Sequence, residues 1–176
     1  MGKIDISKKI RTIPGFPKPG ILFRDITTLL GDPEAFRQVV DEITDLYKDK
    51  CIESVVAIEA RGFIIGAPVA YRLGASFVPV RKKNKLPSET VSASYDLEYG
   101  SNTIEIHSDA IRPGQKVLII DDLLATGGSA KAAAELVEKL KGKIAGIAFV
   151  IELTSLKGRE KLSRYDVYSM LKYDDA

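Results

Sequence analysis

The sequence contains a single cysteine, Cys51, and a single histidine, His107, among its 176 residues. One cysteine excludes an internal disulfide and is typical of a protein from a reducing compartment. One histidine excludes a histidine-rich metal site and any mechanism that needs two histidines. Because His107 lies in the strand-like stretch TIEIHSD, we expect it to have a structural role.

Long apolar runs and a strong net charge are also missing. No stretch approaches the ~18 consecutive apolar residues of a membrane-spanning helix. The opening MGKIDISKKIRTIP lacks the apolar centre of a signal peptide. A formal net charge of +2 is too small to indicate nucleic-acid binding, although local basic clusters remain compatible with it. We therefore expect a cytoplasmic protein with no membrane or nucleic-acid partner.

The composition that is present, 45% hydrophobic and 28% charged, fits one globular domain over residues 1–176. Hydrophobic spacing predicts helices at 4–12, 33–49, 63–73 and 129–141, and strands at 54–59, 76–80, 117–120 and 145–153. This alternation predicts an α/β fold with a mostly parallel sheet. In such sheets, ligands bind beyond the carboxyl ends of the strands.

The segment VLIIDDLLATGGSA, residues 117–130, joins two carboxylates to a glycine-containing turn. Asp121 and Asp122 follow an apolar strand, and the turn leads into a helix whose first N–H groups lack internal partners. Those groups, at the positive end of the helix dipole, can bind a phosphate. The carboxylates can accept hydrogen bonds from a pair of sugar hydroxyls or face a divalent cation. The segment therefore predicts a site for a sugar phosphate.

Other interpretations of this segment differ in what they require. A Walker A loop needs Lys and then Ser or Thr after its last glycine, whereas Gly128 is followed by Ser129 and Ala130. The G-x-G-x-x-G pattern of dinucleotide-binding proteins is absent from the segment. From composition alone, a strand, a turn and a helix without any ligand remain an alternative.

VLIIDDLLATGGSA resembles the binding motif for 5-phosphoribosyl-1-pyrophosphate (PRPP) in type I phosphoribosyltransferases, and DDLLATGG is the form found in the adenine-specific members. The resemblance implies a central, mostly parallel sheet flanked by helices, with an N-terminal hood at 1–32 and a flexible catalytic loop at 81–100. It also implies that Asp121 and Asp122 hold the ribose hydroxyls. The 5-phosphate would be bound by Ala125, Thr126, Gly127, Gly128 and Ser129.

A second turn, EARGF at residues 59–63, is expected at the same edge of the sheet. By itself Arg61 is either a solvated side chain or a bidentate phosphate ligand. The turn resembles the pyrophosphate loop of the family, which often reads ESRGF and contains a non-proline cis peptide. This implies that Arg61 binds pyrophosphate and takes part in catalysis. Ala60 replaces the usual serine, so one side-chain contact is expected to be missing.

A cluster of basic residues opens the segment 81–100, which is also rich in serine and threonine. A charge run is often only a solvated loop, but a loop of this length also suggests a mobile lid. The family resemblance implies that Arg81, Lys82 and Lys85 contact pyrophosphate. It also implies that Glu98, in YDLEYG, handles the proton of the purine.

The stretch PGFPKPGILFRDITTLL, from residue 14 onward, contains several prolines and one aromatic ring just after them. Considered alone, Phe23 is more often a core residue than a ligand platform. The stretch resembles the family's hood, in which this ring stacks on the purine and neighbouring backbone groups bind its edge. The resemblance implies an adenine site at Leu22, Phe23, Arg24 and Leu123. ELTSLKGREKL, at 152–162, resembles the family's closing segment.

The implied reaction joins adenine to PRPP, giving AMP and pyrophosphate in purine salvage. The implied cofactor is Mg²⁺, held mainly through PRPP and water rather than by direct protein ligands. The implied assembly is a homodimer in which a basic residue after the second strand, best matched by Arg81, reaches the partner's site. Two alternatives remain: another purine phosphoribosyltransferase, such as one using xanthine, and a PRPP-sensing regulator without catalysis.

Overall fold

The computed structural model of the protein describes residues 2–96 and 101–175. The strands are β1 (Arg11–Pro14), β2 (Leu22–Asp25), β3 (Ser54–Ile58), β4 (Ser76–Lys82), β5 (Thr90–Asp96), β6 (Ser101–His107), β7 (Lys116–Leu124), β8 (Lys143–Leu153) and β9 (Val167–Tyr173). The α-helices are α1 (Thr27–Leu30), α2 (Pro33–Tyr47), α3 (Arg61–Leu73) and α4 (Gly128–Lys139). Short 3₁₀ turns lie at Ile6–Lys9, Lys48–Lys50, Thr154–Leu156 and Gly158–Leu162.

A seven-stranded sheet with the order β5-β6-β4-β3-β7-β8-β9 forms the centre of the fold. The five neighbouring strands β4, β3, β7, β8 and β9 are parallel to one another. Strand β6 runs antiparallel to both β4 and β5. The predicted α/β fold with a mostly parallel sheet is confirmed. Since β3 and β7 are parallel neighbours, the residues that follow them meet at one edge of the sheet.

The two faces of the sheet carry separate hydrophobic cores, and β7 contributes to both. Leu118 and Ile120 pack with α2 and α3 on one face, whereas Val117 and Ile119 pack with α4 on the other. This alternation follows from the two-residue period of a strand. Full burial of a side chain of this size contributes roughly 1.5–3 kcal/mol, so β7 is held firmly from both sides.

Helix α3 packs closely on β3, which determines how near its first turn lies to the sheet. A Cβ atom added to Gly66 would lie 2.7 Å from the Cβ atom of Ala57, which is closer than real Cβ contacts come. Glycine at this position therefore lets α3 approach the sheet, and Arg61 at its first residue is brought to the edge where β7 ends.

A small antiparallel sheet of β1 and β2 replaces the helix that hydrophobic spacing predicts at 4–12. That prediction is wrong, because only Ile6–Lys9 forms a short 3₁₀ turn before β1 begins. Pairing of Arg11 with Asp25 across the sheet stabilises an extended backbone that local spacing does not reveal. Hydrogen bonds from the Thr27 backbone N–H and from Arg11 lower the pKa of Asp25 to about 2.

The remaining predicted elements have close counterparts. For α2, the carboxylate of Asp32 accepts hydrogen bonds from the backbone N–H groups of Glu34 and Ala35, as expected for an N-cap.

The segment predicted as a loop at 81–100 instead includes the end of β4 and the whole of β5. Strands β2 and β9 are absent from the sequence prediction, whereas β6 overlaps the strand-like stretch TIEIHSD around His107. No helix within 2–96 and 101–175 has the length and apolar character needed to cross a membrane.

Candidate active site

A cavity of about 430 Å³ opens beyond the carboxyl ends of β3 and β7. It is lined from both strand ends, from β4 and β5, and from the turn after β7. The lining residues include Glu59, Ala60, Arg61, Lys82, Tyr95, Asp121, Asp122, Leu123, Ala125 and Ser129. The cavity thus combines the acid pair and the Arg61 turn that the sequence predicts at one edge.

The two aspartates at the end of β7 are buried, with 8% of Asp121 and 4% of Asp122 exposed. The backbone N–H of Asp122 donates to Oδ1 of Asp121 at 2.9 Å. Burial and the neighbouring Asp122 carboxylate raise the pKa of Asp121 well above its usual range. Burial also raises the pKa of Asp122, although Arg61 opposes this rise. Such carboxylates have a strong demand for hydrogen-bond donors, which a pair of ribose hydroxyls can meet.

Arg61 already forms an ion pair with one of these carboxylates, that of Asp122. Its Nε lies 2.7 Å from Oδ2 of Asp122. The close approach depends on Gly62, where a Cβ atom would lie 3.0 Å from Oδ1 of Asp121 and 3.0 Å from the Ile120 carbonyl oxygen. The peptide between Glu59 and Ala60 is cis, as the family resemblance implies.

The turn after β7 forms the second part of the site, with its own cavity of about 210 Å³ lined by Ala125 to Ser129. Gly127 has a φ of 75°, and α4 begins at the next residue. The first N–H groups of this 12-residue helix point out of its N-terminus without intrahelical partners, which suits an anion. The five predicted 5-phosphate residues are therefore brought together.

The predicted pyrophosphate residues are divided by the structure. Arg61 and Lys82 line the main cavity, whereas Arg81 and Lys85 do not. The Arg81 guanidinium donates to both Glu59 carboxylate oxygens, at 3.1 and 3.3 Å, and to the Lys85 carbonyl oxygen at 3.0 Å. This pairing lowers the pKa of Glu59 and occupies the Arg81 guanidinium.

Of the predicted adenine residues, Phe23 and Leu123 lie near Arg61. Leu123 lines the cavity. Leu22 and Phe23 are half-buried on β2, and the Phe23 ring centre lies 5.7 Å from the Arg61 guanidinium carbon. The Arg24 side chain points elsewhere and is bound by Thr12 and Asp175. Only the backbone of Arg24 can therefore contribute to a base site.

Comparison with known proteins identifies the family of this arrangement. The family described as phosphoribosyl transferase domain matches residues 32–175. The adenine phosphoribosyltransferase of Clostridium novyi is 58% identical over 171 residues, covering 97% of this chain and 99% of the relative. The chain belongs to the adenine phosphoribosyltransferase family.

Solved adenine phosphoribosyltransferases have the same fold. The enzyme from Thermoanaerobacter pseudethanolicus superposes with a TM-score of 0.93 at 51% identity, covering 96% of this chain and 98% of that chain. The Giardia lamblia enzyme, solved in complex with 9-deazaadenine, has a TM-score of 0.90 at 42% identity and covers 96% of each chain. The type I phosphoribosyltransferase fold and the adenine-specific membership predicted from DDLLATGG are both confirmed.

Two residues of this adenine phosphoribosyltransferase site are missing from the sequence prediction. Tyr95 lines both cavities, and a Cβ atom on Gly128 would lie 3.0 Å from its ring. The second missing residue is Gly158. A Cβ atom on Gly127 would lie 2.4 Å from the Gly158 carbonyl oxygen, so both Gly127 and Gly158 are needed for the turn to pack there. The sequence signals were an aromatic residue two positions before LEYG and the resemblance of LKGREKL to the closing segment. The predicted catalytic residue Glu98 lies outside the described residues.

The donor set of the site fits Mg²⁺ carried by a substrate. Within residues 2–96 and 101–175, no group of three or more His, Cys, Asp or Glu side chains could hold a metal ion. The acid pair supplies carboxylate oxygens at the cavity, and Mg²⁺ commonly completes its six ligands with water and substrate phosphates. Asp121 and Asp122 are thus the side chains that could face such an ion.

Proposed function

We propose that this adenine phosphoribosyltransferase transfers the phosphoribosyl group of PRPP to adenine, releasing AMP and pyrophosphate in purine salvage. One observation carries the proposal: the buried acid pair lies beside the free N-terminus of α4, and Arg61 and Lys82 face the same cavity. A sugar diphosphate with a 5-phosphate has the matching arrangement of hydroxyls and anionic groups.

Positioning and charge stabilisation account for most of the proposed catalysis. Asp121 and Asp122 accept hydrogen bonds from the ribose hydroxyls, while the turn from Ala125 to Ser129 binds the 5-phosphate. As pyrophosphate leaves, the ribose gains positive charge, which the carboxylates stabilise. Arg61 and Lys82 stabilise the negative charge on the leaving group. Bound Mg²⁺ adds positive charge at the diphosphate.

The base is proposed to bind between Phe23 and Leu123, with the backbone of Leu22 and Arg24 contacting its edge. Support comes from the half-buried ring of Phe23 near Arg61 and from Leu123 at the cavity wall. The Saccharomyces cerevisiae relative, 42% identical with a TM-score of 0.91 and covering 95% of this chain and 97% of that chain, was solved with an iminoalditol bisphosphate and adenine. Glu98 is proposed as the general acid/base that handles the purine proton.

A homodimer is proposed from an apolar surface on α3 and β4. Tyr71 is 86% exposed, and Ile64 and Phe77 are also exposed, although these side chains are large and hydrophobic. Phe63 packs edge-on against Phe77, with ring centres 5.7 Å apart, and extends the same surface. Exposed apolar patches of this kind mark protein interfaces. In the dimer, Arg81 is proposed to contribute to the partner's pyrophosphate site.

Localisation in the cytoplasm is proposed as well, because the lone thiol of Cys51 is exposed and free, which suits a reducing compartment. The two alternatives, a xanthine-using enzyme and a PRPP-sensing regulator, are not favoured by relatives that are named adenine phosphoribosyltransferase.

An assay with PRPP, Mg²⁺ and each purine base in turn tests the proposal. We expect turnover with adenine and a disadvantage of about a few hundredfold for hypoxanthine, because hypoxanthine reverses the donor and acceptor pattern at the purine edge. Equal turnover with hypoxanthine or xanthine would contradict the base assignment. PRPP binding without turnover of any base would favour the regulator instead.

A further inference from the structure

Arg24 links the small sheet to the far end of the large sheet. Its guanidinium donates to Oγ1 of Thr12 at 2.6 Å and to the carboxylate of Asp175, and it lies over the Tyr173 ring with its central carbon 4.1 Å from the ring centre. Thr12 belongs to β1, whereas Tyr173 ends β9 and Asp175 follows it. Contacts from both sheets thus converge on one cation.

Because the Arg24 side chain is buried, its charge is stabilised by its hydrogen-bond and ion-pair partners rather than by water. Only 7% of the Arg24 side chain is exposed, against 60% for Asp175. Its Nε is buried and has no hydrogen-bond acceptor within the described ranges, so the remaining contacts carry the charge. A buried guanidinium that loses its carboxylate is strongly disfavoured and will move toward water. Asp175 therefore determines where the Arg24 side chain lies.

The position of Arg24 also affects the ring beside it. Neighbouring residues of a strand point to opposite faces, so Arg24 and Phe23 project from opposite sides of β2. Phe23 is the residue whose ring lies 5.7 Å from the Arg61 guanidinium carbon. The ion pair of Asp25 with Arg11 is internal to the small sheet and cannot set its distance from the large one.

We propose that Asp175 and Tyr173 hold Arg24 and thereby set the position of Phe23 over the base site. Asp175 is a positioning residue for adenine and does not touch the substrate. This rests on the proposed function, since it requires the base to bind beside Phe23.

The chain supplies a matched control in the adjacent carboxylate. Asp174 accepts a hydrogen bond from Thr154, which follows β8, and does not contact Arg24. Asp174→Ala and Asp175→Ala therefore remove the same group from the same exposed segment, but only the second change affects Arg24. Both residues are exposed, so both variants should fold, which their thermal unfolding curves will verify.

The test compares binding of AMP with binding of ribose 5-phosphate, which lacks the base, by titration calorimetry. We expect Asp175→Ala to weaken AMP binding by about three- to tenfold, the range for a partly solvated charged hydrogen bond, and to leave ribose 5-phosphate within about twofold. Steady-state assays should match, with KM for adenine raised and KM for PRPP unchanged. Asp174→Ala should resemble the parent protein, and Asp175→Glu should recover most of the AMP affinity.

Equal weakening of both ligands would overturn the proposal, because it would mean a general disturbance of the fold. Unchanged AMP binding in Asp175→Ala would also overturn it, while leaving the proposed function intact. If the parent protein bound ribose 5-phosphate but not AMP, the proposed function would fail first, and the positioning role would fail with it.

Discussion

Arg61 and Asp122 form an ion pair across the candidate active site, with Nε of one 2.7 Å from Oδ2 of the other. Arg61 begins α3 and Asp122 lies near the end of β7, so the pair joins the two turns that are proposed to bind opposite ends of PRPP. In the proposed complex with PRPP, the ribose hydroxyls would compete for Asp122 and the diphosphate would compete for Arg61. Each side chain would thus replace its ion-pair partner with a group of the substrate. Neither charge would be left unpaired.

Asp122→Asn should lower kcat/KM for PRPP by about ten- to a hundredfold, because hydrogen bonds to a charged acceptor are worth roughly 1.5–3 kcal/mol. The shape of the side chain is kept, so the fold should persist. Steady-state kinetics checks the loss, and Asp109→Asn, at an exposed turn, serves as the charge-matched control. Parent-level kcat/KM in a soluble Asp122→Asn protein would remove this residue from the ribose site.

Asp121→Asn should stabilise the protein at alkaline pH. Because the pKa of Asp121 is raised in the folded protein, folded Asp121 keeps its proton longer than unfolded Asp121 as pH rises, and stability is lost through that window. The variant removes this loss. We expect equal Tm values for parent and variant at about pH 4, and a higher Tm in the variant at about pH 8. A constant Tm difference across this range would contradict the raised pKa.

Gly127→Ala should destabilise the protein and abolish ribose 5-phosphate binding, since the new Cβ atom would overlap the Gly158 carbonyl. Gly74→Ala is the matched control, because Gly74 also has a positive φ, of 66°, but open space around its Cβ position. Gly74→Ala should lower the free energy of unfolding by about 1–2 kcal/mol through its backbone conformation alone. Chemical denaturation should show a larger loss for Gly127→Ala. Equal losses would mean that the turn can move away from Gly158.

Glu98→Gln should lower kcat by about 10² to 10⁴, the usual range for general acid/base help, with little change in PRPP affinity. Glu89→Gln, at the exposed residue immediately before β5, is the control for charge removal in the same region. Pre-steady-state kinetics should verify that chemistry limits the rate. A loss confined to KM for adenine would make Glu98 a binding residue instead.

Tyr71→Asp should dissociate the proposed dimer, since a charge at the centre of an apolar interface is costly to bury. Sedimentation velocity measures the change directly. Leu46→Asp introduces the same charge at an exposed apolar residue of α2 and should leave the assembly unchanged. A parent protein that is monomeric and fully active at assay concentrations would exclude a site shared between subunits.

Local sequence patterns determined the central part of this protein because they act over short distances. An apolar run, two aspartates and a glycine turn are contiguous in the sequence, and they mark β7, the acid pair and the start of α4. The same holds for α2, where Asp32 caps the helix that follows it. The resemblance to the adenine-specific phosphoribosyltransferases rested on these contiguous residues, and the comparisons confirmed it.

Tertiary structure alone decided which distant residues meet, because those contacts depend on strand order and on space between packed elements. Pairing of β1 with β2 made strand out of a segment whose spacing indicated helix. Arg81 pairs with Glu59 and does not line the cavity, whereas the next residue, Lys82, does. Asp175 reached Arg24 across 151 positions of sequence, which no local periodicity encodes. These contacts join residues that are far apart in the sequence, so only the assembled strand order brings them together.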